Sequence, residues 1–204
     1  MAARRGAVLW VVAAVGYLIL EAVAAAGVVP AYSYARNYIS DLGVSAVSPR
    51  SYLMQAAFYL QGILFILGAG LIVGIPESPR ARAFLGLIGA NSIGNIVIGA
   101  VHSGNVHRAG AALAIVGGNT AILAGAAVIA TGDGWRWYRR ISILVAALGL
   151  LSLLMLLINS VTSQTNLLPD GMWERASVYS IILWQLTTAV YLLTARRRAA
   201  GEAG

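Results

Sequence analysis

Three side chains that could exchange protons are spread along the chain: Asp41, His107 and Glu174. Each stands beside the end of a long apolar run, and the order of the runs places all three at one side of the molecule. Carboxyl and imidazole groups are common general acids and bases. We therefore expect these three to meet at one pocket as catalytic groups, with Arg108 and Arg175 beside them as balancing charges that contact a substrate.

Glu21 is a fourth acid–base candidate, and it lies inside the first apolar run. A carboxyl group in hydrocarbon costs a few kcal/mol, so such residues usually face a bundle interior or a wet cavity. We expect Glu21 to face other helices, where it either stays protonated or finds a partner. The alternative to a functional role is a buried structural hydrogen bond to a neighbouring helix.

A polar stripe runs along the third apolar segment. Asn91, Asn95 and His102 are four and seven residues apart, which puts them on one face of a helix. The stripe either holds helices together or forms a polar channel leading down from His102 to a substrate. Asn37, in the loop after the first run, is a further substrate-binding candidate.

A metal site is not predicted. His102 and His107 are five residues apart, which does not place both on one helical face. The chain has no cysteine, so thiolate ligands are excluded, and a metal would have to recruit Asp41 or Glu174 from other loops. We expect no cofactor, because phosphate-binding loops and known catalytic motifs are absent from the sequence.

The elements that must position these residues are membrane-spanning helices. The chain has 204 residues, 59% hydrophobic and 10% charged, with a mean hydropathy of +0.80. Each apolar run approaches or exceeds the length needed to cross a bilayer as a helix. The prediction is an all-α, single-domain bundle of six transmembrane helices over residues 1–204, with spans near 6–29, 52–75, 84–101, 110–130, 141–160 and 176–194. In the third span, Gly86, Ala90 and Gly94 have the small-residue spacing of close helix contacts.

The arginines predict the orientation. Ten lie on the side of the N-terminus, at positions 4, 5, 80, 82, 136, 139, 140, 196, 197 and 198, and four lie on the other side, at 36, 50, 108 and 175. Both termini are therefore expected in the cytoplasm of a cell-membrane protein, with the long loops 30–51 and 161–175 on the opposite side. The net charge of +7 sits between apolar runs, so nucleic acid is not an expected partner. The expected partners are membrane lipids.

Three segments resemble the bacterial and archaeal membrane family called domain of unknown function 998. They are Asn37-Tyr38-Ile39-Ser40-Asp41-Leu42-Gly43, His107-Arg108-Ala109-Gly110-Ala111 and Gly171-Met172-Trp173-Glu174-Arg175. The resemblance covers nearly the whole chain and implies six spans, with Asp41, His107, Glu174 and Arg175 at characteristic positions. The segment Val101-His102 departs from the family pattern, which weakens the case for His102. The family name carries no activity.

Three functions fit these features. The leading hypothesis is an intramembrane enzyme that performs acid–base chemistry, either hydrolysis or proton-initiated cyclisation, on a lipid or isoprenoid substrate. A proton-coupled transporter would use Glu21 and the Asn91–Asn95 stripe, but few polar groups continue through the other halves of the spans. An accessory subunit without chemistry would not need Asp41, His107 and Glu174 to converge.

Overall fold

The computed structural model is all-helical over the residues it describes, which are 1–129, 135–162, 165 and 167–201, with the backbone alone for Trp135 and 195–201. The side chains of Arg196 to Arg198, three of the ten arginines predicted on the cytoplasmic side, lie outside these ranges. The helices are α1 (Ala2–Ala25), α2 (Ser51–Val73), α3 (Pro79–Ala100), α4 (Gly104–Val128), α5 (Trp135–Thr162) and α6 (Asp170–Gly201), and a short 3-10 helix (Ser40–Gly43) follows α1. All six are long and apolar enough to span a membrane. The chain is a multi-pass membrane protein.

The helix ends differ from the apolar runs where local chemistry decides. The first helix ends at Ala25 rather than Val29, because Gly27 and Pro30 follow and neither favours helix continuation. The third begins at Pro79, five residues before the apolar run, because the Ser78 hydroxyl accepts from the Ala81 amide at 3.1 Å and caps it. The fifth and sixth helices also begin before their apolar runs, through polar residues that the hydropathy pattern had left out.

Five of the six helices form a closed ring. Along the chain α1 packs on α2, α2 on α3 and α3 on α4, and α6 closes the ring by packing on both α4 and α1. Helix α5 packs on α4 and α6 from outside, and it is the least buried of the six. We call the end of the bundle where α1 ends and α6 begins the loop end, and the opposite end the terminal end.

Glycines allow the closest contacts within the ring. A methyl group on Gly94 would lie 2.4 Å from the Ala114 nitrogen and 2.5 Å from the Gly110 oxygen, so α3 and α4 touch there backbone to backbone. Gly86, which shares the small-residue spacing with Gly94, has open space beside it instead. The spacing therefore predicted the close contact at Gly94, but it did not show that Gly86 lies outside that contact.

Candidate functional site

Arg175 ties the loop after α1 to the start of α6. Its Nη1 donates to the carbonyl oxygens of Tyr34 at 2.8 Å, Asn37 at 2.7 Å and Gly171 at 3.1 Å. Its Nη2 donates to the Tyr32 hydroxyl, and its charge lies 4.8 Å from the centre of the Tyr34 ring. Burial raises the pKa of Tyr32, although the charge of Arg175 opposes that shift. The guanidinium is thus used to hold the loop in place.

Gly171 permits the loop to lie directly on α6. A methyl group there would lie 2.5 Å from the Asn37 oxygen and 2.8 Å from the Ala35 oxygen. The Asn37 side chain is exposed, and its Oδ1 accepts from the Ser33 amide at 2.9 Å, which closes a turn within the loop. Asn37 therefore shapes the loop with both its backbone and its side chain.

Glu21 faces the bundle, as the sequence predicted, and is 1% exposed. The Tyr179 hydroxyl lies 2.9 Å from both of its carboxyl oxygens. Arg175 Nη2 lies 3.5 Å from Oε1, at the far limit of a hydrogen bond. Of the two alternatives that the sequence left open for this acid, the structure shows partners: a tyrosine first and an arginine second, both on α6.

Asp41 and Glu174 bind neighbouring amides of the loop. Asp41 Oδ2 accepts from the Tyr38 amide at 3.0 Å, and Glu174 Oε2 accepts from the Ile39 amide at 2.5 Å. The Tyr38 hydroxyl donates to Asp170 at 2.8 Å. Burial, reinforced by that bond to Asp170, raises the pKa of Tyr38. Two of the three acid–base candidates thus meet at one short segment of backbone.

A pocket opens within the helix ring beneath this loop. Its cavity volume is about 40 Å³, so the pocket is narrow. Glu174, Asn91, Asn95 and Gln61 supply most of its polar lining. The remaining wall is largely aliphatic and aromatic, from side chains that include Ile39, Phe58, Ile98, Ile115, Val178, Ile181 and Ile182. The pocket therefore combines one carboxyl group and several amides with a hydrocarbon surface.

A model of the family described as protein of unknown function (DUF998) matches residues 8–191. The chain belongs to this family. No curated protein and no solved structure matches it significantly. In this DUF998 protein, two of the three segments that carried the resemblance pack on each other, because Gly171 and Arg175 of the last one contact Asn37 of the first.

The third segment of the DUF998 resemblance, which opens α4, makes separate contacts. His107 Nδ1 lies 2.7 Å from the Val101 oxygen, and His102 Nε2 lies 3.1 Å from the Gly99 oxygen. Both histidines thus bind carbonyls at the end of α3, and His102 and Arg108 are exposed. Within the described ranges no hydrogen bond joins His107 to Asp41 or Glu174. The convergence of His107 with the two acids remains a prediction.

Sequence reasoning missed the tyrosines of this candidate site. Tyr32, Tyr38 and Tyr179 each bind a charged group, and Tyr17 lines the pocket. A usable signal was present in the spacing of α6, because Tyr179 lies one turn beyond Arg175 and so faces the same side. Gln61, which also lines the pocket, was not among the residues that the sequence singled out.

Proposed function

We propose that this protein is an intramembrane enzyme that performs acid–base chemistry on a lipid or isoprenoid chain, with Glu174 as the group that moves the proton. One observation carries the proposal: a carboxyl group lines a narrow, largely apolar pocket inside a helix ring. The apolar wall matches a hydrocarbon chain in polarity, and a few convergent polar groups are typical of small-molecule sites. The Ile39 amide holds one carboxyl oxygen of Glu174 and leaves Oε1 for a ligand.

Two reactions suit a single carboxyl group there. In proton-initiated cyclisation, the acid gives its proton to one carbon of a double bond, whose electron pair forms the new C–H bond and leaves a cation at the neighbouring carbon. A second double bond attacks that cation, and loss of a proton to the carboxylate restores the acid. In hydrolysis, the carboxylate takes a proton from water as its oxygen bonds to an acyl carbon, and that proton passes to the departing alkoxide.

The other acid–base candidates serve in this proposal as positioning residues. Glu21 is bound by Tyr179 and Arg175, and Asp41 by the Tyr38 amide, so both stabilise the loop that covers the pocket. Asn91 and Asn95 remain substrate-binding candidates, because both line the pocket. Arg175 acts on a substrate only indirectly, through the loop it holds.

Glu174→Gln tests the proposal, because it removes the transferable proton and keeps the shape. The wild-type protein in nanodiscs, incubated with a total membrane-lipid extract, is expected to produce new lipid species by mass spectrometry, and the variant is expected to produce none. Asp170→Asn is the matched control: it changes an acid one turn earlier on α6 whose oxygens bind Tyr38 and Asn159. Unchanged product formation by Glu174→Gln would overturn the proposal.

A non-catalytic accessory role is the second candidate. The observation in its favour is that Glu21 and Asp41 spend their hydrogen bonds on loop and helix contacts, as structural residues do. In that case neither the wild type nor Glu174→Gln alters the lipid extract, and both elute with the same partner after crosslinking in the native membrane.

We also propose that both termini are cytoplasmic and that the loop end faces the opposite side of the cell membrane. The ten-to-four division of arginines supports this orientation. Reporter fusions at each terminus test it: a phosphatase that is active only outside the cytoplasm should be inactive at both ends. Phosphatase activity at either end would contradict the proposal.

A further inference from the structure

Hydrogen bonding fixes which atom of Gln61 is left for a ligand. Gln185 Nε2 lies 3.0 Å from the Trp10 carbonyl oxygen, which can only accept, so this end of the Gln185 amide must be the donor. Gln185 Oε1 then accepts from Gln61 Nε2 at 2.8 Å. The Gln61 atom that remains is Oε1, which is buried and has no partner in the described part of the chain. Gln61 is 3% exposed and lines the pocket.

The same reasoning fixes the asparagines of α3. Asn91 Nδ2 donates to the Ala114 carbonyl at 2.7 Å, so Asn91 Oδ1 is the acceptor that Asn95 Nδ2 contacts at 3.2 Å. Asn95 Nδ2 also donates to the Asn91 carbonyl at 2.9 Å. Its Oδ1 is therefore the atom available to the pocket. The amide nitrogens of Gln61, Asn91 and Asn95 thus each donate at least one hydrogen bond inside the protein.

The free polar atoms of the pocket are consequently dominated by acceptors. In the described part of the chain, Gln61 Oε1, Asn95 Oδ1 and Glu174 Oε1 accept no hydrogen bond and can receive one from a ligand, whereas the amide nitrogens of Gln61, Asn91 and Asn95 already donate within the protein. The positive charge of Arg175 does not line the pocket, because its amino groups bind loop carbonyls, Tyr32 and Glu21. Among the described residues that line the pocket none is a cation, so an anionic head group would contact a carboxyl group and two amide oxygens but no positively charged side chain.

We propose that the pocket selects a lipid that donates hydrogen bonds and carries no anionic head group: an unphosphorylated lipid alcohol. Its hydrocarbon chain packs on the apolar wall while its hydroxyl donates to Gln61 Oε1, the buried acceptor that has no partner in the described part of the chain. This inference rests on the proposed lipid-binding function and narrows its substrate class. Phosphorylated and diphosphorylated isoprenoids are excluded by the same arrangement of acceptors.

A ligand series on the wild-type protein tests this selection without any variant. Geraniol, its methyl ether and geranyl diphosphate share one carbon skeleton, and thermal unfolding in phosphatidylcholine nanodiscs reports binding. Geraniol is expected to raise the Tm with an affinity roughly ten-fold or more above that of the ether, which cannot donate. The ether partitions into lipid more readily, so an unspecific membrane effect would give the opposite order. An equal or larger effect of the ether or the diphosphate, or no effect of geraniol, would overturn the inference.

Gln61→Leu tests whether Gln61 Oε1 is the atom that selects the alcohol. It should lower the affinity for geraniol to that of the ether and leave the affinity for the ether unchanged. Gln55→Leu is the control, because Gln55 lies on the same helix and binds the Gly43 carbonyl outside the pocket. Mass spectrometry of the bound geraniol separates the two proposals. Binding of geraniol without conversion would support the selection of a lipid alcohol and count against an enzymatic function. Conversion of geranyl diphosphate together with weak binding of geraniol would support an enzymatic function and count against that selection.

Discussion

Replacing Arg175 with Met should destabilise the protein far more than replacing Glu21 with Gln, although the two residues form an ion pair. The Met variant removes three hydrogen bonds of 2.7 to 3.1 Å to loop and helix carbonyls and leaves Glu21 without a counter-charge. Loss of one partner from such a buried network costs about 3–5 kcal/mol. Glu21→Gln keeps an acceptor for Tyr179 and gives up one contact of 3.5 Å, which costs about 1 kcal/mol.

Thermal unfolding in one detergent measures the difference, with an expected loss of about 10 °C for Arg175→Met against about 3 °C for Glu21→Gln. Trypsin reports where the structure opens. Arg175→Met should speed cleavage at the exposed Arg36, within the released loop, and leave cleavage at the exposed Arg82, in the first turn of α3, unchanged. Equal losses of Tm in the two variants, or faster cleavage at both sites, would refute the view that Arg175 acts mainly through the loop.

Two further predictions concern packing and pH. Gly68→Ala should cost about 1–3 kcal/mol in the same unfolding assay, because the added carbon would lie 2.3 Å from the Trp10 ring, whereas Gly70→Ala, which has open space, should cost nothing; equal effects would contradict the close packing. Tyr38→Phe should lose about 1 kcal/mol near neutral pH with its bond to Asp170. Because the pKa of Tyr38 is raised in the folded state, the wild type loses stability once the pH exceeds the pKa of the unfolded chain, about 10. The difference in stability between the wild type and Tyr38→Phe should therefore narrow above that pH. A difference that stays constant with pH would contradict the raised pKa.

The six helices could be predicted from the sequence because hydropathy and length determine which segments cross a bilayer. The closure of the ring could not. Helix α5 has the highest hydropathy of the six and lies outside it, since in lipid the apolar faces do not distinguish a neighbouring helix from an acyl chain. Polar side chains determine instead which helices face each other, and the hydrogen bond between Gln61 of α2 and Gln185 of α6 is one such contact.

The part of the site that follows from the chemistry of one buried residue could be predicted from the sequence. The part that depends on the conformation of a loop could not. Glu21 was predicted to face other helices because a carboxyl group in contact with lipid is costly, and its side chain is buried in the bundle. Which groups meet it depends on how the chain from Tyr32 to Ile39 folds over α6, and that path is set by carbonyl contacts of Arg175 and by the absence of a side chain at Gly171. Apolar periodicity carries no information about carbonyl directions in a loop.

His107→Ala distinguishes a structural histidine from a catalytic one. The last carbonyls of a helix lack partners within it, and a histidine can supply one. His107 meets this description, since Nδ1 lies 2.7 Å from the oxygen of Val101, the residue that follows α3 and caps it. We expect the variant to lose about 1 kcal/mol of stability and to keep any Glu174-dependent lipid conversion per folded molecule. Conversion lost at an unchanged Tm would instead place His107 in the acid–base chemistry and restore the three-residue site that the sequence predicted.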